Sequence, residues 1–241
     1  MRYRYNNRLW VPADGPTPAD AWYDVCAPDG IIMGAVTGGL TGIRLIRDWS
    51  GNGNHAVQTT ANQQGAVAFL GPGGGYSITT DNVNDGWDYP NAGWVSGDHT
   101  FVIGCNTLHV PGPTNPQIQL FANANGAHTA YQVFGSAASW LSIFDAAGNH
   151  ASDVALAVGV HAYSAVIDEA AHTAMLYRDT TSASAPVACA ALADSSGYRQ
   201  ICNTWAYFAP DASISRAAIW NCKLPAAILA RAQAWAVRDD G

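Results

Sequence analysis

The sequence predicts an all-β sandwich of two antiparallel sheets with a short C-terminal helix. Two observations lead to this fold class. Short runs rich in β-branched and aromatic residues recur along the chain, separated by Gly, Asn, Asp and Pro, as in GIRLIRDW, HTFVIGC and NTWAYFA. One helical pattern appears, and it stands near the C-terminal end. Many short strands spaced by turn signals are typical of sandwiches and barrels.

The clearest strand pair lies in HAYSAVIDEAAHTAMLYRD, which starts at His161. Residues 162–167 alternate between two faces with a period of two, as a strand does. The stretch DEAAHT, residues 168–173, supplies a turn, and AMLYRD returns. We therefore expect an antiparallel hairpin near the middle of a sheet.

The helix is predicted after Pro225, over PAAILARAQAWAV. Its apolar stripe includes Leu229 and Trp235, whereas Arg231 and Gln233 face away from that stripe. Proline is well tolerated in the first helical turn because its missing N–H would have no partner there. A single helix of this kind would cap the sandwich or cover an edge of it.

The length of 241 residues is sufficient to bury a core without disulfides or metals, so we expect one sandwich domain over residues 21–241. Residues 1–20 carry Pro12, Pro16 and Pro18 and are predicted to form an extended N-terminal arm. Such an arm would lie over its own sandwich or over a neighbouring subunit, and the second arrangement would require a homo-oligomer.

The composition argues against two classes of partner. Only 12% of residues are charged, the net charge is −7, and the eleven basic residues are scattered singly. This pattern argues against nucleic acid, which is bound by clustered basic side chains. No apolar run approaches the roughly 18 residues of a membrane span. A weakly charged, Trp-rich surface suits contact with other subunits or with sugars.

The turn RDWSGNGNHAV has two interpretations. Asp48, Ser50 and Asn52 place oxygen donors at alternate positions, as in the first half of a calcium-binding loop. Thr59 stands at the twelfth position, where such a loop places a bidentate glutamate. The alternative, which we favour, is a tight turn in which Asn52-Gly53 supplies positive φ angles and the polar side chains bind local amides.

A second cluster combines aromatic rings with carboxylate and amide groups in NDGWDYPNAGWVSGD, residues 84–98. A sugar ring presents an apolar face surrounded by hydroxyls, so aromatic faces beside polar groups suit it. We expect this stretch to be a long loop, and the alternative is that its aromatic rings anchor it to the core. The predicted glycan-contacting residues are Asp85, Trp87, Asp88, Tyr89, Asn91 and Trp94.

Four stretches together carry a resemblance to a known family. In chain order they are AWYDVCAPDG, IRLIRDWSGNGNHAVQ, the hairpin described above, and ASISRAAIWNCKLPAAILARAQAW. They resemble the concanavalin A-like, laminin-G-like jelly rolls, and more narrowly the versions found in bacteriophage virion proteins and bacterial surface proteins. The resemblance covers roughly residues 20–60 and 160–237, and it implies a jelly-roll sandwich.

Catalysis is not expected. Glycosidases of this fold use two carboxylates, most often glutamates, that flank the scissile bond. The chain has one glutamate, Glu169, in a predicted turn, and neither a G-x-S-x-G nor an H-E-x-x-H motif. We therefore predict no catalytic residue and no cofactor, with calcium at the Asp48 turn as the open alternative.

The resemblance implies a non-enzymatic structural protein of a bacteriophage virion. It would be a capsid decoration or tail-associated protein that contacts capsid or tail subunits and is assembled in the host cytoplasm. The absence of an apolar signal segment near the N-terminus agrees with that expectation. The first alternative is a carbohydrate-binding, lectin-like module of a bacterial surface or secreted protein that binds cell-surface glycans. The second alternative is a glycoside hydrolase.

Overall fold

The computed structural model describes residues 10–27, 29–34, 42–60, 64–69, 76–79, 86–89, 97–107, 118–124, 132–135, 140–145, 148–189, 198–201 and 212–238. Within them the chain forms short strands followed by one helix near the C-terminal end. The elements are β1 Ala21–Asp24, β2 Ile31–Met33, β3 Ile43–Ile46, β4 Ala56–Val57, β5 Ala66–Phe69, β6 Tyr76–Thr79, β7 Trp87–Tyr89, β8 His99–Thr107, β9 Ile118–Ala124, β10 Gln132–Gly135, β11 Trp140–Asp145, β12 Gly148–Ala155, β13 Gly159–Asp168, β14 Thr173–Arg178, β15 Ser182–Ala183, β16 Val187–Ala188, β17 Tyr198–Ile201, β18 Ala212–Trp220 and α1 Ala226–Ala236.

In the described residues these strands form two sheets of nine strands each. The first, called the covered sheet, has the order β15-β14-β13-β8-β18-β6-β5, with β1 also paired to β18 and β16 to β14. The second, called the open sheet, has the order β12-β11-β10-β9-β17-β7-β4-β3-β2. Every neighbouring pair whose register is described is antiparallel, from β1 with β18 to β5 with β6. The predicted fold class, an all-β sandwich of two antiparallel sheets with a short C-terminal helix, is confirmed.

The core lies between the two sheets. Alternate residues of the long central strands point into it, for example Ile103 on β8 and Ile219 on β18. The open sheet contributes Trp87, Leu141 and Ile201 from the other side. Burial of such side chains is worth roughly 1.5–3 kcal/mol each, so the alternation visible in the sequence is also the main source of stability.

The predicted hairpin is confirmed. Strands β13 and β14 pair antiparallel from Tyr163 with Arg178 to Asp168 with Thr173. His172, in the connection, has a φ of 50°, the left-handed conformation that tight turns require. Strand β13 also pairs with β8, so the hairpin lies inside the covered sheet rather than at its edge.

Helix α1 packs on the outer face of the covered sheet, against β8, β13 and β18. A second apolar cluster fills this interface and includes Trp22, Trp220 and Trp235. The helix approaches so closely that a Cβ added at Gly104 would clash with the carbonyl oxygen of Ala236. Glycine is therefore required at this point of β8. No helix in the described part of the chain is long and apolar enough to cross a membrane.

One feature of the helix differs from the prediction. Arg231 is exposed as expected, but Gln233 is buried, and its Nε2 donates a hydrogen bond to Ser164 Oγ at 2.8 Å. The prediction assigned Gln233 to the solvent face because it is polar. The facing strand β13 supplies a hydroxyl partner, and a buried amide with such a partner is tolerated.

The N-terminal residues complete the layer on the covered sheet. Ala19 is buried in the second apolar cluster, and Trp10 and Val11 pack against it. The indole N–H of Trp220 donates to the carbonyl of Thr17 at 3.2 Å. Residues 10–20 and α1 thus cover one outer face of the sandwich together. The main contacts of α1 in the described residues are with strands of the covered sheet, and the other sheet is therefore called open.

Candidate functional site

The carboxylate of Asp48 is the centre of the RDWSGNGNHAV turn. Its Oδ1 accepts hydrogen bonds from the backbone N–H of Trp22 at 3.1 Å and of Ser50 at 2.9 Å. Its Oδ2 accepts from Ser50 Oγ at 2.7 Å and from the N–H of Asn54 at 2.9 Å. Asp48 is buried, and the four donors compensate for the removal of its charge from water.

The same turn joins the two sheets. The side-chain amides of Asn52 and Asn54 both donate to the carbonyl of Asp20, at 2.9 and 3.0 Å. Tyr23 on β1 donates its hydroxyl to the carbonyl of Asn54 at 2.6 Å. Gly51 and Gly53 have φ angles of 90° and 77°, which side chains other than glycine rarely adopt. The turn between β3 and β4 therefore locks the open sheet to β1 of the covered sheet.

The proposed calcium ligands Asp48, Ser50 and Asn52 lie together in this turn, but the side-chain oxygens of Asp48 and Ser50 are already engaged. Ser50 Oγ donates to Asp48 and accepts from the N–H of Asn52 at 3.1 Å. A calcium ion takes six to eight oxygen ligands, so it would have to displace these bonds. Within the described residues, no group of three or more His, Cys, Asp or Glu side chains could hold a metal ion.

Asp48→Ala is expected to lower the free energy of unfolding by about 2–4 kcal/mol, because it leaves several donors without an acceptor. The loss should be the same in EDTA and in calcium, as measured by urea denaturation followed by tryptophan fluorescence. Asp14→Ala, at an exposed residue of the N-terminal segment, serves as the control and should change little. A calcium-dependent gain in stability that Asp48→Ala removes would instead establish a calcium site.

The structure corrects the expectation that Trp87 lies on a loop and presents its ring to a ligand. Trp87 lies on β7, is 0% exposed, and belongs to the core between the sheets. Its indole N–H donates to the carbonyl of Ile43 at 2.8 Å. The ring anchors this part of the chain to the core, which was the alternative interpretation for the aromatic residues of this stretch.

Asp88 lies on the opposite face from Trp87, because successive strand residues alternate between faces. It is half-buried, and it stands opposite Val57 of β4 and Gln200 of β17. Beyond Val57 the same row continues through Leu45 to Ile32 on the edge strand. Directly opposed residues share a face of a sheet, so Asp88 ends an aliphatic row formed by Ile32, Leu45 and Val57.

We call these three residues the aliphatic stripe. Ile32 is 44% exposed, and Leu45 and Val57 are half-buried. The sequence analysis did not select them, and strict alternation in IRLI would place Leu45 on the face of the buried Ile43, whereas the register shift between β2 and β3 separates the two residues. What it lacked was the register, since only the pairing of β2, β3, β4 and β7 brings the stripe next to Asp88.

The structure describes only one of the four other predicted glycan-contacting residues. Tyr89 ends β7, with its backbone paired to Arg199 of β17. Asp85, Asn91 and Trp94 lie outside the described residues. The two described backbone positions Asp88 and Tyr89 thus belong to the open sheet, and the three remaining residues flank the same strand in the chain.

A second group of carboxylates lies at the β13–β14 turn. The Lys223 ammonium stands 2.6 Å from Asp168 Oδ2 and 3.7 Å from Asp98 Oδ2. The hydrogen bond from Lys223 lowers the pKa of Asp168. The backbone N–H of Glu169 donates to Asp98 at 3.0 Å. The general acid of a glycosidase requires a raised pKa. The environment of Asp168 shifts the pKa in the opposite direction, so Asp168 does not suit that role.

Comparison with known proteins gives the fold and no family. No protein-family model matches the chain, and no curated protein matches it. Among solved structures, a Trypanosoma rangeli sialidase in complex with the inhibitor DANA is similar with a TM-score of 0.60 and 11% identity. That match covers 96% of this chain and 35% of the sialidase, so the chain spans about a third of that protein.

Two further structures are similar. An arabinofuranosidase complexed with arabinofuranosyl-alpha-1,2-xylobiose has a TM-score of 0.61 and 13% identity, over 92% of this chain and 63% of that one. The CBM40 of a Ruminococcus gnavus IT-sialidase, bound to alpha2,3 sialyllactose, has 14% identity over 65% of this chain and 95% of that one. Its TM-score of 0.48 is too low to support an argument.

These comparisons correct the main functional prediction. The bacteriophage virion protein, as a capsid decoration or tail-associated protein, is wrong as the principal interpretation, because the similar structures with TM-scores of 0.60 and 0.61 are glycoside hydrolases. The same finding agrees better with the lectin-like alternative. At these identities the likeness shows the sandwich fold alone.

Proposed function

We propose that this protein is a non-catalytic glycan-binding module that binds its ligand on the outer face of the open sheet. The observation that carries the proposal is the row in which the Asp88 carboxylate adjoins the aliphatic stripe. The opposite outer face is covered by α1 and residues 10–20, which leaves the open sheet as the accessible broad face of the described sandwich.

The chemistry of this row suits a sugar. A pyranose has C–H groups on its faces and hydroxyls around its rim, so it needs an apolar surface next to hydrogen-bond acceptors and donors. The aliphatic stripe would contact the C–H groups. An ionised aspartate is an acceptor-only group with two oxygens, and Asp88 would accept from a sugar hydroxyl. Tyr89 and the flanking Asp85, Asn91 and Trp94 are proposed to complete the site.

Binding without hydrolysis is supported by the described carboxylates. A retaining or inverting mechanism requires two carboxyl groups, one of them protonated to assist the leaving group. Asp48 is saturated by four donors, Asp24 is paired with Arg216, and Asp168 is held ionised by Lys223. Each of these carboxylates is already a hydrogen-bond or ion-pair partner within the fold, which favours a structural role over proton transfer.

The similar structures also support a glycan as the ligand. The sialidase and the arabinofuranosidase both have names that refer to sugars, and each contains a sandwich onto which this chain superposes. We propose that the module meets its ligand outside the cell or at a cell surface, where polysaccharides are displayed. The chain would then supply binding, and any reaction would be supplied by a partner.

Asp88→Ala is expected to weaken glycan binding at least about tenfold, because hydrogen bonds to a charged group are worth about 1.5–3 kcal/mol each. The matched control is Asp153→Ala, at an exposed residue of β12 on the other edge of the same sheet. A glycan array would identify the ligand, and titration calorimetry would give its affinity for the three proteins.

The control should bind like the original protein, and thermal unfolding should show that both variants are folded at the temperature of the binding assay. Equal binding by Asp88→Ala would contradict the proposed site. Absence of binding to any glycan by the folded protein would contradict the proposed function, and release of reducing sugar from a bound glycan would contradict its non-catalytic part.

A further inference from the structure

We propose that the open sheet binds an extended chain of several sugars, which lies across the strands, rather than a single terminal sugar. This inference rests on the proposed function and adds the form of the ligand to it. It does not depend on which sugar the chain contains. The observation that carries it is a row of directly opposed residues that crosses every strand of the open sheet in the described part of the chain.

The row begins with the aliphatic stripe and Asp88 and continues over the remaining strands of the sheet. Asp88 is opposite Gln200 of β17, and Gln200 is opposite Ala122 of β9. The pairing then reaches the other edge through Gln132 of β10, Phe144 of β11 and Asn149 of β12. These residues, one on each of the nine strands, are called the long row.

The long row lies on the outer face beyond Asp88 as well. A neighbouring row of the same strands begins with Trp87 and Ile201, which are both buried in the core between the sheets. It continues through three more apolar residues, Phe121, Val133 and Ile143. Each residue of this core row is adjacent in the chain to one residue of the long row. Because successive residues of a strand alternate between faces, the long row is on the side away from the core.

The residue types along the long row suit a chain of sugars. Beyond Asp88, amide and apolar residues alternate from strand to strand in the order Gln200, Ala122, Gln132, Phe144 and Asn149. An amide offers both donors and an acceptor, which match the donor and acceptor of a sugar hydroxyl. Apolar and aromatic residues suit the C–H face of a sugar. The combination that one sugar needs is therefore repeated along the sheet.

The length of the row favours a chain over a single sugar. Neighbouring strands lie about 4.8 Å apart, so the nine strands of the sheet give a row about 38 Å long from Ile32 to Asn149. One sugar ring would leave most of this row without a ligand. An extended chain, such as that of xylan or cellulose, follows such a row, whereas a coiled chain, such as that of amylose, turns away from it.

The covered sheet differs because its outer face is occupied. Its outward residues Val102, Ala162 and Ala218 are buried in the second apolar cluster, together with residues of α1. In the long row, Ile32 is 44% exposed and Asp88 is half-buried. Among the described residues, the open sheet is therefore the face on which a chain of sugars can lie across the strands.

The test measures how affinity depends on the length of the ligand. Calorimetry with the full chain uses xylo-, cello- and manno-oligosaccharides, whose chains are extended, and malto-oligosaccharides, whose chains coil. Each series runs from the disaccharide to the hexasaccharide. We expect at least one extended series to bind, with the hexasaccharide at least about tenfold tighter than the disaccharide, because a longer chain contacts more of the row. The malto series should show no such gain.

Phe144→Ala tests the part of the row that is far from Asp88. Strand β11 is four strand positions from β7, or about 19 Å away, so one sugar does not reach both. The variant should bind the hexasaccharide about fivefold less tightly and leave unchanged a disaccharide held at Asp88 and the aliphatic stripe. The matched control is Val160→Ala, at a 53% exposed apolar residue of the covered sheet, which should change neither affinity.

Gln132→Ala is a second variant of the row, and it keeps the test decisive if Phe144→Ala does not fold. Strand β10 lies between β9 and β11, so Gln132 is also distant from Asp88. Loss of its amide should weaken binding of the hexasaccharide severalfold and spare the disaccharide. Cooperative thermal unfolding shows which variants are folded.

Equal affinities for the disaccharide and the hexasaccharide would overturn this inference and leave glycan binding intact. The same conclusion would follow from a gain in the malto series alone, from binding confined to the terminal sugars of branched glycans on an array, or from unchanged hexasaccharide binding in the folded row variants. Absence of binding to every glycan, by protein that melts cooperatively, would overturn the proposed function and this inference together.

Discussion

Trp87→Ala is expected to lower the free energy of unfolding by about 3–5 kcal/mol. The ring is 0% exposed, packs among the core residues of both sheets, and donates its N–H to the carbonyl of Ile43. Removal of the ring opens a cavity and leaves that carbonyl without its donor. Urea denaturation followed by far-ultraviolet circular dichroism measures the loss, since the spectroscopic probe does not depend on the tryptophan removed.

The adjacent residue provides the contrast. Asp88→Ala changes the outer face of the same strand, so it should affect glycan binding and lower stability less than Trp87→Ala does. Trp87→Phe should keep most of the packing, lose less stability than Trp87→Ala, and bind glycan normally. Loss of binding in Trp87→Phe at unchanged stability would place the ring in the ligand site and contradict its assignment to the core.

Arg216→Met is expected to lower the free energy of unfolding by about 3–5 kcal/mol, the usual effect of breaking a buried ion pair by removing one partner. Arg216 on β18 is fully buried, and its Nε lies 3.1 Å from Oδ2 of Asp24 on β1. Its Nη1 donates to the carbonyls of Trp235 and Arg238 at 3.2 and 2.6 Å. The guanidinium therefore holds β1 and the C-terminal end of α1 to β18.

The double variant Asp24→Asn, Arg216→Met is the control. It removes the charge that Arg216→Met leaves unpaired in the core, so it should be more stable than the single variant by about 1 kcal/mol or more. Guanidinium denaturation of the original protein, the single variants Asp24→Asn and Arg216→Met, and the double variant gives the coupling energy between the two residues. Additive losses in the double variant would show that the pair does not act as a unit.

Prediction from sequence succeeded where the determining contacts are local. The alternation over residues 162–167 predicted β13, because neighbouring side chains of a strand point to opposite faces whatever the rest of the chain does. The apolar stripe after Pro225 predicted α1, because side chains three and four residues apart lie on the same face of a helix. Asn52-Gly53 predicted a turn with positive φ angles at both residues; Gly53 has one, but the other belongs to Gly51 and not to Asn52.

Prediction was incomplete where the burial of a side chain depends on a partner far away in the chain. Trp87 and Asp88 are adjacent and both suited to sugar contact, and the sequence offered no means of telling which faces the core. Gln233 was assigned to solvent by its polarity, whereas Ser164, 69 residues earlier, provides the hydrogen bond that permits its burial. The aliphatic stripe was missed because its members come from three separate strands.

The sequence by itself determined the class of the fold, the position of the helix and the turn around Asp48, since strand, helix and turn preferences arise from interactions within a few residues. Only the tertiary structure decided which sheet the helix covers, and hence which face is available to a ligand. That choice depends on contacts such as Gly104 with Ala236 and Asp24 with Arg216. Such contacts join distant parts of the chain, and no local pattern encodes them.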